Sequence, residues 1–255
     1  MLIIIHYRMS EYNINADISS AEMTAYYRSV FENISKDNIS SLLVSKEGIA
    51  KAKAFDAKYN YELVYRKISL RAGFFYEEAL DLLKTGCYDS CISFASGFST
   101  LTYTIRKRLV ELNDIYSSIK FIDSDLPHII HERNSRFEEL LSNNGIDELI
   151  YKKIKANVLD LEEAASKSLS LMDLYPNCKR PLFLIEGVVY FLSTNCLNWL
   201  IKEVSEYHKS AIIIDYWPEN SLGISRCFST IYKDLKNFIP EQTKSFWNNN
   251  LKKAF

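Results

Sequence analysis

Glycine and proline are scarce in this chain of 255 residues, which holds seven of the first and five of the second. Average usage is roughly 7% glycine and 5% proline. The shortage excludes collagen-like, linker-rich and low-complexity chains, and argues against many short strands joined by tight turns. Long helices with economical loops are expected instead. Each of Gly48, Gly73, Gly86, Gly97, Gly145, Gly187 and Gly223 should then have a specific reason for its place. An excess of one charge is missing too: 31 basic and 32 acidic residues leave a net of −1. No dense cationic footprint for nucleic acid follows from that composition. Long apolar runs are absent, since Leu2 to Ile5 is too short for a signal-peptide core and Glu186 interrupts Pro181 to Leu192. The expected protein is soluble and cytoplasmic, without a nucleic-acid or membrane partner. Met9 opens a more polar second start, so residues 1–8 read as an upstream extension or a short arm. The five cysteines (Cys87, Cys91, Cys178, Cys196, Cys227) are odd in number and lack both CxxC and zinc-knuckle spacing. They read as buried reduced thiols, and no metal site is expected.

A chain of this length buries roughly three quarters of its unfolded surface, enough for one domain with a small addition. The first 88 residues show no strand pattern. Helices are expected over Ala16–Ile34, Ile39–Ala57 and Leu70–Leu83, the last closing at Gly86. Residues 1–88 are therefore expected to form a helical cap or lid, and 89–255 the main domain. After residue 88 short apolar runs alternate with helical stretches. Strands are expected at Ser90–Ala95, Ile119–Asp123, Ile154–Val158, Leu182–Glu186 and Ala211–Tyr216. Helices follow at Ser99–Leu112, Pro127–Leu141, Thr194–His208 and Ser221–Phe238. That alternation describes an α/β fold with a mostly parallel sheet covered on both faces. Ligands of such sheets bind at the carboxyl ends of the strands.

Four strand ends carry chemistry. Ser93-Phe94-Ala95-Ser96-Gly97-Phe98-Ser99-Thr100 is a small-residue turn opening a helix, where backbone can approach a ligand. Phe121-Ile122-Asp123-Ser124-Asp125-Leu126-Pro127 places two carboxylates beside a first helical turn, the usual way such a sheet holds ribose hydroxyls, although taken alone they read first as helix caps before Pro127. Ala156-Asn157-Val158-Leu159-Asp160 offers an amide to a base edge. Pro181-Leu182-Phe183-Leu184-Ile185-Glu186-Gly187 sets a carboxylate at the end of an apolar strand, which is costly unless it has partners.

Together these stretches resemble the leucine carboxyl methyltransferase family, which includes polyketide O-methyltransferases of the class I S-adenosylmethionine-dependent type. Pro181–Leu192 is similar to the family's P-x-L-x-I-x-E-G-x-x-x-Y-L strand, and Phe121–Pro127 to its E-V-D-x-P element. Ser93–Leu101 is similar to its N-L-G-A-G-x-D-T-R turn, Ala156–Leu161 to A-D-L-R-D, and Ile214-Asp215-Tyr216 to I-N-Y. Lys46 and Arg71-Ala72-Gly73 fall where the family has a lysine and an arginine-glycine facing the cofactor's carboxylate. The resemblance spans roughly residues 40 to 220. It implies a Rossmann-like methyltransferase sheet with an N-terminal helical cap, S-adenosylmethionine as cofactor, and a small carboxylic acid or hydroxyl compound as substrate. It also implies a cofactor site built from Lys46, Arg71, Gly97, Asp123, Asp125, Asn157, Val158 and Glu186. If a hydroxyl is methylated, Tyr190, Asp215, His128 and His131 are candidate bases by location.

Several positions depart from the family pattern. Ala95 stands at a glycine, Ser99-Thr100-Leu101 at D-T-R, and Asn157 at an aspartate. The residues after Tyr216 leave no room for a full C-terminal hairpin, so the sheet is expected to stop at five strands or have an edge covered by a homodimer or another partner. The alternative function is a methyltransferase-like protein that does not transfer methyl groups, either a binding partner or an enzyme using the pocket for another reaction such as a cyclisation. Tyr59, Tyr61, Tyr65, Phe74, Phe75 and Tyr76 are read as an aromatic substrate pocket or, equally, as packing.

Overall fold

A computed structural model describes residues 14–59, 62–143 and 145–215. Tyr61, Tyr216, Gly223, Cys227 and the expected helix Ser221–Phe238 lie outside them, as do the side chains of Tyr59, Tyr65 and Tyr190. The chain opens with α1 (Ile14–Val30), α2 (Glu32–Ser35), a 3-10 turn (Ser40–Leu43), α3 (Lys46–Tyr59) and α4 (Glu62–Lys84). Next come β1 (Ser90–Phe94), α5 (Leu101–Leu112), β2 (Lys120–Asp125), α6 (Pro127–Ser142) and α7 (Glu148–Tyr151). β3 (Ile154–Val158), α8 (Leu161–Ser166), α9 (Leu171–Leu174), β4 (Pro181–Ile185), α10 (Thr194–Ser205) and β5 (Ala211–Ile214) follow among the described residues.

The five strands form one parallel sheet in the order β3-β2-β1-β4-β5. This is the order of a doubly wound α/β sheet, with its crossover reversal between β1 and β4. Strand alternation explains why both faces are buried. Ile92, Phe94, Phe183 and Ile185 point to the face covered by α8 to α10, where Leu161, Leu197 and Leu200 meet them. Cys91, Leu182 and Leu184 point to the other face, against Phe75, Ala79 and Leu83 of α4 and Ile105 and Leu109 of α5. A period of two with apolar residues at every step reads as a continuous apolar run, as buried parallel strands do. Asp160 caps α8, accepting from the N–H groups of Glu162 and Glu163, and Ser193 caps α10 through the N–H of Cys196.

The N-terminal helices differ from the sequence expectation in three places. The stretch expected as one helix to Ile34 breaks after Val30, and Lys36 ends α2 at φ 59 in the left-handed region. The break is stabilised from inside, because the Ser35 hydroxyl donates to the carbonyl of Arg28 at 2.8 Å. The stretch expected as a helix from Ile39 divides into the 3-10 turn and α3. α4 also starts at Glu62 rather than Leu70. Gly73 lets α4 lie against the end of α2: a Cβ there would sit 2.2 Å from the Ile34 carbonyl oxygen. Among the described residues, Cys87, Cys91, Cys178 and Cys196 are free thiols, and no helix is long and apolar enough to cross a membrane.

Candidate active site

A cavity of about 400 Å³ opens at the carboxyl ends of β1, β2 and β4. Its size falls within the usual range of small-molecule sites, roughly 300–1,000 Å³. The β1 turn from Ala95 to Ser99 forms its floor, Asp125 and Glu186 enter from β2 and β4, and α1 lies over it through Ala21, Thr24 and Arg28.

The β1 turn takes left-handed backbone at two residues, Ala95 at φ 49 and Gly97 at φ 53. Ala95 therefore adopts the geometry that a glycine in its place would take without strain, at a cost of roughly 1–2 kcal/mol for its Cβ. The departure at position 95 leaves the turn intact. Ala95→Gly is expected to stabilise the protein by about 0.5–1 kcal/mol, the relief of strain being partly offset by the greater freedom of the unfolded chain. A urea titration gives the sign.

Asp125 closes this turn onto β2. Its carboxylate accepts from the Gly97 N–H at 2.6 Å and the Leu126 N–H at 2.7 Å. Burial nevertheless raises its pKa, outweighing those two bonds and the charges of Arg133 and His128. Asp123, two residues earlier on β2, shares the same face but sits deeper, between α5 and α6. There it forms a buried ion pair with Arg133 and accepts from the Thr102 hydroxyl at 2.7 Å. It does not line the cavity. Only the aspartate at the very end of the strand reaches the cavity, because the one two residues before it is engaged by Arg133 and Thr102.

Glu186 is held between two arginines from different helices. Arg28 of α1 pairs with one oxygen, and the Arg71 Nε of α4 donates to the other at 3.0 Å. Burial raises the Glu186 pKa, but the charges and hydrogen bonds of both arginines overcome this and leave it below the usual carboxylate range. Asp37 and the Ser99 hydroxyl hold the far side of Arg28. Asp215 accepts from Arg71 at 3.2 Å and from the Gly187 N–H at 2.6 Å. Gly187 is required for this packing: its φ is +74, and a Cβ would lie 2.9 Å from the Arg71 guanidinium.

Two buried polar atoms around the cavity lack protein partners, the Ser96 hydroxyl and the Arg28 Nε. Both residues line the cavity, and they are 6% and 2% exposed. Unpaired groups at such burial are uncommon and call for a ligand or water. Six ionisable residues line the space, namely Arg28, Arg71, Asp125, Asp160, Glu162 and Glu186, so carboxylates outnumber arginines two to one.

Of the residues singled out in sequence, Arg71, Gly97, Asp125 and Glu186 are brought together at this cavity. Asn157 and Val158 are outside its lining. Asn157 donates to the Tyr175 hydroxyl at 3.1 Å, and the neighbouring Leu159 and Asp160 line the cavity instead. Lys46 is exposed at the start of α3, and His128 is half-buried at the start of α6; neither is among the lining residues. His131 is exposed on α6. Asp215 braces Arg71 from outside the lining. The aromatic pocket does not form from Phe74, Phe75 and Tyr76: the first is exposed, and the other two pack in the core between α4 and the sheet. Sequence reasoning missed Arg28, whose partner Glu186 is 158 residues away. It also gave Ser96 no role, although Ser96 stands inside the small-residue turn.

No protein-family model matches the chain, and no curated protein matches it in sequence. Among solved structures it is similar to the methyltransferase domain of bacterial CtHen1-CN, with 15% identity, a TM-score of 0.41, and coverage of 69% of this chain and 80% of that one. An O-methyltransferase family protein from Burkholderia thailandensis is 9% identical with a TM-score of 0.39, over 82% of this chain and 57% of that one. Mitomycin 7-O-methyltransferase MmcR is 12% identical with a TM-score of 0.36, over 66% of this chain and 46% of its own.

Proposed function

We propose that the chain is an S-adenosylmethionine-dependent O-methyltransferase acting on a carboxylate or hydroxyl of a small molecule. The observation that carries this reading is the charge of the cavity at the β1–β4 crossover. Its carboxylates outnumber its arginines two to one, and its turn holds one glycine. A pyrophosphate-bearing dinucleotide would meet repulsion from Asp125, Asp160, Glu162 and Glu186, and it lacks the glycine-rich cradle such cofactors use. A phosphate-free, net cationic adenosyl compound suits the same groups. The buried and unpartnered Ser96 hydroxyl and Arg28 Nε–H are consistent with a ligand at this position.

In this reading Asp125 accepts from ribose hydroxyls, and Leu159 and Asp160 flank the base. The β1 turn at Gly97 approaches the amino-acid portion. Arg28 and Arg71 provide the positive charge for its carboxylate, a task for which the resemblance suggested Lys46 and Arg71. When bound, the cofactor supplies an electrophilic methyl group. The protein's own contribution is to orient the acceptor oxygen, exclude water beneath α1 and hold Glu186 ionised. A carboxylate acceptor needs no general base.

The reading is tested by incubating the full chain with S-adenosylmethionine and a panel of small carboxylic acids and phenols, and following product masses. Addition of one methyl group to an acid or phenol is expected from the wild type. Gly97→Val is expected to lose it, since a β-branched side chain at φ +53 cannot keep the turn. Binding of the cofactor without any methylated product would favour the alternative, a methyltransferase-like protein that uses the pocket differently.

A further inference from the structure

The sheet carries a second hollow, of about 580 Å³, alongside the amino-terminal halves of β2 and β3. Its charge is opposite to that of the first. Arg106, Lys120, Lys153 and Lys155 line it, and among the described residues no aspartate or glutamate does. The register explains their proximity. Phe121 pairs with Ile154 and Ile122 with Lys155, so Lys120 stands beside Lys153 one step earlier. Adjacent strands are about 4.8 Å apart, a separation at which neighbouring like charges repel. Lys153 and Lys155 have no ion-pair partner among the described residues, and Lys120 reaches a carbonyl, that of Asn177. At the edge of the same hollow Arg106 is 4% exposed, its guanidinium 5.6 Å from the centre of the Phe121 ring on the other face of β2. Its guanidinium donates to the Ile119 carbonyl at 3.1 Å and reaches that of Ser117 at 3.5 Å, and its Nε has no partner. A buried cation without a carboxylate, with three more beside it, is costly to maintain unless an anion joins it. The chain as a whole is slightly acidic, so this concentration does not follow from composition.

We infer that this hollow is a binding site for a small, multiply charged phosphate compound, separate from the methyl-transfer cavity. Three features select that class. The accessible cations are lysines, which meet phosphate as point charges, whereas planar carboxylate recognition favours the arginine fork. Ser117 and Ser118 bring polar groups to the same rim, the Ser118 hydroxyl donating to the Ile115 carbonyl at 3.2 Å. The segment Leu174–Cys178 bounds the hollow on one side, giving a compact site in place of a track along which a polymer would lie.

Inorganic tripolyphosphate is the probe. Calorimetry on the full chain is expected to show saturable one-to-one binding that weakens as salt is raised. The Lys153→Gln/Lys155→Gln variant is expected to bind at least about tenfold more weakly, because two of its direct charge contacts are gone. Both lysines are exposed, so that variant should keep its fold by circular dichroism and its affinity for S-adenosylmethionine. A control pair on other exposed lysines, Lys36→Gln/Lys209→Gln, is expected to bind tripolyphosphate as the wild type does. The inference is overturned if the wild type shows no saturable binding or if the control pair loses as much as the test pair. It is also overturned if a single-stranded oligonucleotide outcompetes tripolyphosphate, which would mark a nucleic-acid surface. None of these outcomes depends on whether the protein transfers methyl groups.

Discussion

Glu186→Ala is expected to destabilise the protein by about 3–5 kcal/mol, the usual cost of breaking a buried ion pair from one side. The carboxylate meets arginines from two separate N-terminal helices, and its side chain is 7% exposed. Removing it leaves Arg28 with Asp37 and Ser99, and Arg71 with Asp215, so the local charge near the cavity turns more positive. Urea midpoints of the single variants and of Glu186→Ala/Arg28→Met measure the coupling. The double variant should recover part of the loss, since a methionine fills space without leaving a buried charge. The effect has a defined pH dependence. The folded pKa of Glu186 lies below its unfolded value of about 4.3, so its contribution is complete above that pH and is lost as pH falls through the folded value. The difference between wild type and variant should therefore shrink on acidification. A gap that stays constant down to the acid transition would mean that packing, and not the ion pairs, is what the alanine removes.

The second large effect separates two aspartates that stand two residues apart. Asp123→Ala is expected to cost about 3–5 kcal/mol by stranding Arg133 in the core, with S-adenosylmethionine affinity unchanged in the folded protein. Asp125→Asn is expected to do the reverse. An asparagine still accepts one of the two backbone N–H bonds, so stability should fall by only about 1–2 kcal/mol. Affinity should fall at least about tenfold through lost charge-assisted bonds to the cofactor's hydroxyls. Chemical denaturation gives the first quantity and calorimetry the second. If Asp123→Ala weakened cofactor binding as much as Asp125→Asn, the division of roles between the two aspartates would be wrong.

That pair shows how far the sequence carries. Both aspartates fell at the right strand end, because an apolar run closed by acids and Pro127 marks the boundary in one dimension. Which of them meets a ligand depends on depth along the strand, because the two share a face and the inner one is taken up by Arg133 and Thr102, partners that the sequence does not place. The five strands were legible for a similar reason. Leu182–Glu186 was expected and Pro181–Ile185 is found, since buried parallel strands leave continuous apolar stretches. The N-terminal breaks were not legible. No glycine or proline marks the turn at Phe31–Lys36, which is held by Ser35 bonding to Arg28 and by a lysine in left-handed backbone. Arg28 itself gave no signal, because in sequence a buried arginine on a mixed helix looks the same as a solvated one, and the carboxylate that pairs with it lies far along the chain. Ala95 was the opposite case: its departure from a glycine pattern suggested a damaged turn, yet the chain accepts the strain and keeps the turn's shape.

The central claim is that the carboxylate-rich cavity over Gly97, Asp125 and Glu186 takes S-adenosylmethionine. Calorimetric titration of the wild-type chain with that compound tests it most directly. One-to-one binding in the micromolar range, abolished by Gly97→Val, is the result expected. No detectable binding at millimolar cofactor by a protein shown to be folded would contradict it.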